Sequence, residues 1–197
     1  MILSHTDEYG VTRKNLLHIL WQVLSRCTPP PRITRMKYTP QSLRRNERAL
    51  PEEDARKLLT HGIYGILSLC SPDGGAYGIP LHFAWDGEDK IYFHAAPEGR
   101  KLACIGHASE VSFCIVGEST VQARHFSTSY RSTILEGKAS IVQSPDIKKK
   151  ALHMLLEKYT PAEMKSGQQY AERALNQTLI IQLTINTWCG KHGFMAS

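Results

Sequence analysis

Between Ile63 and Ala95, three segments of strand character follow one another with nothing longer than a turn between them. Ser71-Pro-Asp-Gly-Gly75 separates Ile63–Cys70 from Ala76–Trp85, and Asp86-Gly-Glu-Asp89 separates that segment from Lys90–Ala95. Connections this short join antiparallel neighbours, because a parallel crossover takes a dozen or more residues. Three further strands are expected at Glu110–Val116, Ser129–Val142 and Thr178–Ile185, with a loop over Gly117–Ser127. Helices are expected over residues 51–62, 100–106 and 145–159, and between Pro161 and Leu175. The regular βαβ alternation of a doubly wound parallel sheet is missing. The pattern predicts a mainly β chain with flanking helices, built as a six-stranded antiparallel barrel.

One stretch, Lys90 to Lys101, carries the first hint of chemistry. Strand side chains alternate, so Ile91 and Phe93 point one way while Tyr92 and His94 point the other. Pro97, Glu98 and Gly99 end the strand. Arg100 and Lys101 then open a helix. Two cations beside helix N-terminal N–H groups form an anion site, and Gly99 lets a ligand approach the backbone. A phosphate there would leave the rest of its molecule near His94.

Charge is unevenly placed. Residues 1–50 hold nine Lys and Arg against three Asp and Glu, and the remaining chain balances at fifteen each. The basic excess lies on a proline-containing stretch, not on a folded face with interleaved aromatics, so a nucleic-acid partner is not expected. Val11–Arg26 has the pattern of an amphipathic surface helix, and its apolar run is too short and too interrupted for a membrane span. Pro29-Pro30-Pro31 then stiffens the chain, and a translation start at Met36 would account for everything before it. Residues 1–35 are expected as an N-terminal extension, and residues 36–197 as the main domain.

The five cysteines, Cys27, Cys70, Cys104, Cys114 and Cys189, have no CxxC spacing. Zinc-ribbon and disulfide frameworks are excluded, and reduced thiols in a cytoplasmic protein are expected. No histidine spacing suggests a metal, so none is expected. No GxSxG elbow, Walker loop or GxGxxG is present. Pro80 cannot donate a ladder bond, so it marks an edge or a bulge in the segment Ile79-Pro-Leu-His-Phe83. Such backbone can present N–H and C=O groups to a flat heterocycle. Trp188, Gly190 and Lys191 follow the last strand. They would either plug the barrel end or provide an aromatic wall with a further cation.

The ordered set Tyr77-Gly-Ile-Pro-Leu-His-Phe83, Ile91-Tyr-Phe-His-Ala-Ala96, Gly99-Arg-Lys-Leu102, Val111-Ser-Phe-Cys114, Tyr130-Arg-Ser132 with Glu136-Gly-Lys-Ala139, and Trp188-Cys-Gly-Lys191 resembles a known family. Pro51 to Lys191 is similar to the flavin-binding split-barrel proteins of the pyridoxamine-phosphate-oxidase-like superfamily, and within it to the nitroimidazole-resistance (Nim) proteins. The resemblance implies a six-stranded split barrel that forms a homodimer with FMN, or FAD, in clefts between subunits. It implies that Pro80, Leu81, His82 and Phe83 line the flavin ring and that Arg100 and Lys101 hold the phosphate. It further implies that Trp188 and Lys191 border the flavin from the partner chain, and that His94 acts near a small-molecule substrate. The expected activity is flavin-dependent reduction of nitroaromatic compounds. The alternatives are a pyridoxamine-phosphate-type oxidase with another substrate, or a flavin-binding or redox-sensing protein without turnover.

Overall fold

The computed structural model describes residues 36–194, so the helix expected at Val11–Arg26 lies outside the described residues. In chain order the elements are β1 (Lys37–Tyr38), α1 (Glu52–His61), β2 (Gly65–Cys70), β3 (Ala76–Leu81), β4 (Ala84–Trp85), β5 (Lys90–Ala95), α2 (Arg100–His107), β6 (Glu110–Gln122), β7 (Ser127–Ile141), α3 (Pro145–Tyr159), α4 (Met164–Ala174) and β8 (Leu179–His192). Two short 3-10 turns lie between β1 and α1. Among the described residues no helix is long and apolar enough to cross a membrane.

The strands form one sheet in the order β3-β2-β6-β7-β8-β5-β4, with β1 added in parallel beside β8. Every other pairing is antiparallel. The two ends of this path, β3 and β4, are neighbours in sequence, joined only through His82 and Phe83. The sheet must therefore curl until its ends meet, but no ladder closes the seam. That is the split barrel.

The sheet has eight strands where six were expected. The segment Ala76–Trp85 divides into β3 and β4 at the seam, and β1 is an added two-residue strand. The supposed loop at Gly117–Ser127 is mostly the far end of the β6–β7 hairpin, beyond a register shift between Val116 and Ser119. Its side chains are exposed or half-buried, so the alternation that marks a strand is missing there. Trp188–Lys191 lies within β8 and does not follow it.

The interior is filled by the inward side chains of these strands. Phe113 sits between Phe83 and Phe93, with ring centroids 5.2 and 4.9 Å away at edge-on angles. A Cβ on Gly65 would lie 2.5 Å from the Phe113 ring, so β2 can approach only because that residue is glycine. Ile91 and Phe93 join this core, as their alternation predicts. Tyr92 faces the other way and is buried in a smaller cluster with Ala151 and Ile180, where α3 packs on the outside of the barrel. Ser144 caps α3 by accepting a hydrogen bond from the Ile147 N–H, and Pro145 opens it.

Candidate functional site: a groove at the barrel seam

Where β3 gives way to β4, Tyr64, Pro80, Leu81, His82 and His94 line an open groove of about 550 Å³. This lies within the roughly 300–1,000 Å³ usual for small-molecule sites. Pro80 belongs to an edge strand, as its missing donor requires. Ser71 N–H bonds to the Gly75 carbonyl, and antiparallel pairs alternate between bonded and non-bonded. Pro80, opposite Ile66, then falls in a non-bonded pair, and its nitrogen faces the free edge.

On the other wall, β5 carries His94 outward between Phe93 and Ala95, both buried. The β4–β5 register pairs Ala84 with Tyr92, and continuing it two residues sets His82 opposite His94. Burial of the His94 imidazole lowers its pKa, and the charges of His82 and Lys101 add to the effect. The side chain is open to solvent, yet enough protein surrounds it to weaken the hydration of its cation.

A short turn after His94 leads into α2. Gly99 precedes the helix at φ +127°, a conformation L side chains rarely adopt, and the space beside its Cα is open. No side chain caps the helix, and no acid occupies its first turn. The N-terminal partial positive charge is therefore reinforced by Arg100 and Lys101 and opposed by nothing on the helix itself. The Arg100 guanidinium lies 4.5 Å over the Tyr77 ring, and its Nη2 donates to Ser71 Oγ at 3.4 Å. Lys101 forms no ion pair among the described residues, and its charge reaches His94. A ligand with an anionic tail and a flat ring fits this arrangement: cations and open backbone at the α2 start, and an apolar and imidazole-lined slot beside it.

Not every expected site residue comes to the groove. Phe83 is fully buried, and its ring belongs to the core. Its backbone faces the seam, but the N–H and C=O each lie 3.0 Å from the Tyr159 hydroxyl. Trp188 is 1% exposed, with Tyr38 at 4.7 Å and the Arg56 guanidinium at 5.3 Å. Within one chain it plugs the barrel. His94 pairs with Ile180, so Trp188 lies about 26 Å further along β8. Lys191, three residues beyond, is half-buried beside Ser132 and Ala49.

The structure adds residues that the sequence did not single out. Tyr64 and Tyr77 flank the groove and Arg100, and Tyr159 reaches the seam from the end of α3, its ring 4.6 Å from that of His82. Burial raises the Tyr159 pKa, so the hydroxyl keeps its proton and can donate it. A lone tyrosine before a strand, as Tyr64, within one, as Tyr77, or at a helix end, as Tyr159, carries no sequence signal for such a role.

A comparison with curated protein sequences gives no match. Among solved structures, a candidate 5-nitroimidazole antibiotic resistance protein from Bacteroides thetaiotaomicron superposes with a TM-score of 0.62 at 19% identity, covering 73% of this chain and 84% of that one. A flavocytochrome from Azotobacter vinelandii gives 0.64 at 19% identity over 76% and 71%. An FAD-binding protein from Mesorhizobium loti gives 0.54 at 19% identity over 76% and 98%. At these identities the likeness establishes a shared fold. The family model described as pyridoxamine 5'-phosphate oxidase matches residues 51–192, which span both edge strands, the groove and the start of α2. The chain belongs to the pyridoxamine 5'-phosphate oxidase family.

Proposed function

We propose that this protein is a flavin-dependent oxidoreductase that holds FMN, with FAD as the alternative, and reduces small nitroaromatic compounds of the 5-nitroimidazole kind. One observation carries the reading: Lys101, beside Arg100 at the uncapped start of α2, is near enough for its charge to act on His94, which lines the seam groove. A single strand–turn–helix unit thus presents a phosphate holder and a slot for a planar ring. The structural neighbours, a candidate 5-nitroimidazole resistance protein, a flavocytochrome and an FAD-binding protein, agree with it.

When bound, the flavin supplies electrons to an acceptor lying against its open face. The chain's own residues do the rest. Lys101 and Arg100 hold the phosphate, and the tyrosine ring under Arg100 limits the directions its guanidinium can take. Pro80, Leu81 and His82 orient the ring along the β3 edge. His94 offers one N–H donor and one acceptor nitrogen in its neutral form, the form its surroundings favour at pH 7. As neutral imidazole it can fix a nitro oxygen by a hydrogen bond from its N–H, and in its minor imidazolium form it can pass a proton to that oxygen and return to neutral. The reading includes a homodimer in a cytoplasmic setting, with Lys191 as the cation offered to the partner's flavin.

The lowered His94 pKa makes the imidazolium scarce at pH 7, and this favours, as a second reading, flavin binding without turnover. The deciding experiment is the visible spectrum of purified protein, with mass identification of any released chromophore, then anaerobic reduction and a chase with a 5-nitroimidazole. Reoxidation by the nitro compound is expected. A protein that purifies yellow, bleaches on reduction and is not reoxidised by the nitro compound points to the second reading, and a colourless protein that takes up no FMN or FAD overturns both.

A further inference from the structure

The β2–β3 ladder pairs Gly65 with Leu81, and two residues further the same register would set Ile63 opposite Phe83 as a bonded pair. The rung is absent. At His82 and Phe83 the chain leaves β2 and takes β5 as its neighbour. On the β5 side Asp86 N–H bonds to the Lys90 carbonyl, so Phe83 falls in a non-bonded position and turns its N–H and C=O back toward Ile63. Both groups would be stranded in the seam without a partner.

The Tyr159 hydroxyl occupies that gap. Its oxygen is 2.6 Å from the Ile63 carbonyl and 3.0 Å from both the N–H and the carbonyl of Phe83. One hydroxyl has one proton. It donates across the shorter distance to Ile63 and accepts the Phe83 N–H, so the side chain replaces the missing rung at the width of a bridged contact. The same ring lies 31° from the plane of His82.

We infer that Tyr159 is the positioning residue of the groove: its hydroxyl bridges Ile63, just before β2, and Phe83, just before β4, as a wedge one hydroxyl wide, and its ring sets the plane of His82, which fixes the slot for a flat heteroaromatic ring. The inference rests on the flavin reading above and says which side chain gives that site its width. Tyr159 touches neither the phosphate holder nor His94 among the contacts of the described residues, so its effect falls on the ring and not on the anion.

The test separates ring from phosphate in the full-length chain. Riboflavin has the ring alone, and inorganic phosphate the anion alone. Tyr159→Phe keeps the aromatic ring and deletes the wedge. Riboflavin affinity, read by fluorescence quenching, should fall about tenfold, the equivalent of one net hydrogen bond at the upper end of its usual range, while phosphate affinity is unchanged. Equal riboflavin affinity in the two proteins would overturn the inference, and so would a parallel loss of phosphate affinity, which is what loosened folding produces. Amide exchange on the wild type needs no variant: the Phe83 N–H, outside every strand, should be protected, and fast exchange there would overturn the wedge. If wild type binds no riboflavin while the Phe83 amide is protected, the flavin reading fails and the wedge stands as the seam's geometry.

Discussion

Lys101 stands near enough to His94 for its charge to oppose protonation of the imidazole, alongside burial and His82. Replacing Lys101 by Ala should raise the His94 pKa toward its usual value, read from the pH dependence of the His94 ring resonances. The stability consequence has a definite sign. The folded pKa lies below the unfolded one, so between them the unfolded chain binds more protons. Stability should be full above about pH 6.5 and fall as the pH drops toward the folded pKa. His94→Gln should flatten that part of the acid limb of a pH–stability curve, and an unchanged limb would contradict the assignment.

Loss of flavin and loss of turnover should separate by residue. Arg100→Ala combined with Lys101→Ala should release FMN on dialysis, leaving a colourless but folded protein by circular dichroism. His94→Ala should remain yellow and lose reduction of a 5-nitroimidazole by about 10²–10⁴-fold, the usual contribution of a positioned proton donor. Turnover at the wild-type rate in flavin-loaded His94→Ala would remove the histidine from the chemistry.

A methyl group at Gly65 would meet the Phe113 ring at 2.5 Å and the Cys114 carbonyl at 2.7 Å. Since one of these is backbone, the strands themselves must move. Gly65→Ala should destabilise the protein by about 1–3 kcal/mol in chemical denaturation, as overpacked cores do. Gly87→Ala, where nothing lies within 4 Å of the new methyl, tests strain alone, because that residue sits at φ +87°. It should cost less.

Lys158 has an unusual position. Its Nζ lies 3.6 Å from the centroid of the Phe83 ring and 3.5 Å from the Leu59 carbonyl, with no carboxylate in an ion pair with it among the described residues. Burial pushes its pKa down to about 8. The unfolded chain then binds more protons between about pH 8 and the ordinary lysine value near 10.4, so stability should rise with pH across that window. Acetic anhydride labelling followed by peptide mass analysis should show Lys158 reacting with a midpoint near 8. A midpoint above 10 would show that the aromatic face holds the ammonium more firmly than burial weakens it.

Much of the barrel was legible because its strands alternate and its turns use Pro, Asp and Gly. Ile91, Phe93 and Phe113 are core residues, as their spacing indicates. The cation pair at the start of α2 follows directly from Gly99-Arg-Lys. The seam was not legible. Ala76–Trp85 reads as one continuous strand, and only the third dimension shows the chain changing partners at His82 and Phe83. The far end of the β6–β7 hairpin escaped for another reason: with neither face packed inside, the residues beyond Gly117 have no periodicity to detect. Trp188 illustrates the limit of a motif, which gives a residue's neighbours in sequence but not whether its ring ends in a cleft or, as here, under Arg56.

The meeting of β3 and β4 has a consequence for how the molecule behaves in a crowd. Unpaired strand borders invite other chains to add themselves, the first step toward fibres. Here one border is two residues long, and the other presents the ring of Pro80 where a donor would be needed. The opening that admits a ligand is thus guarded against recruiting a foreign strand.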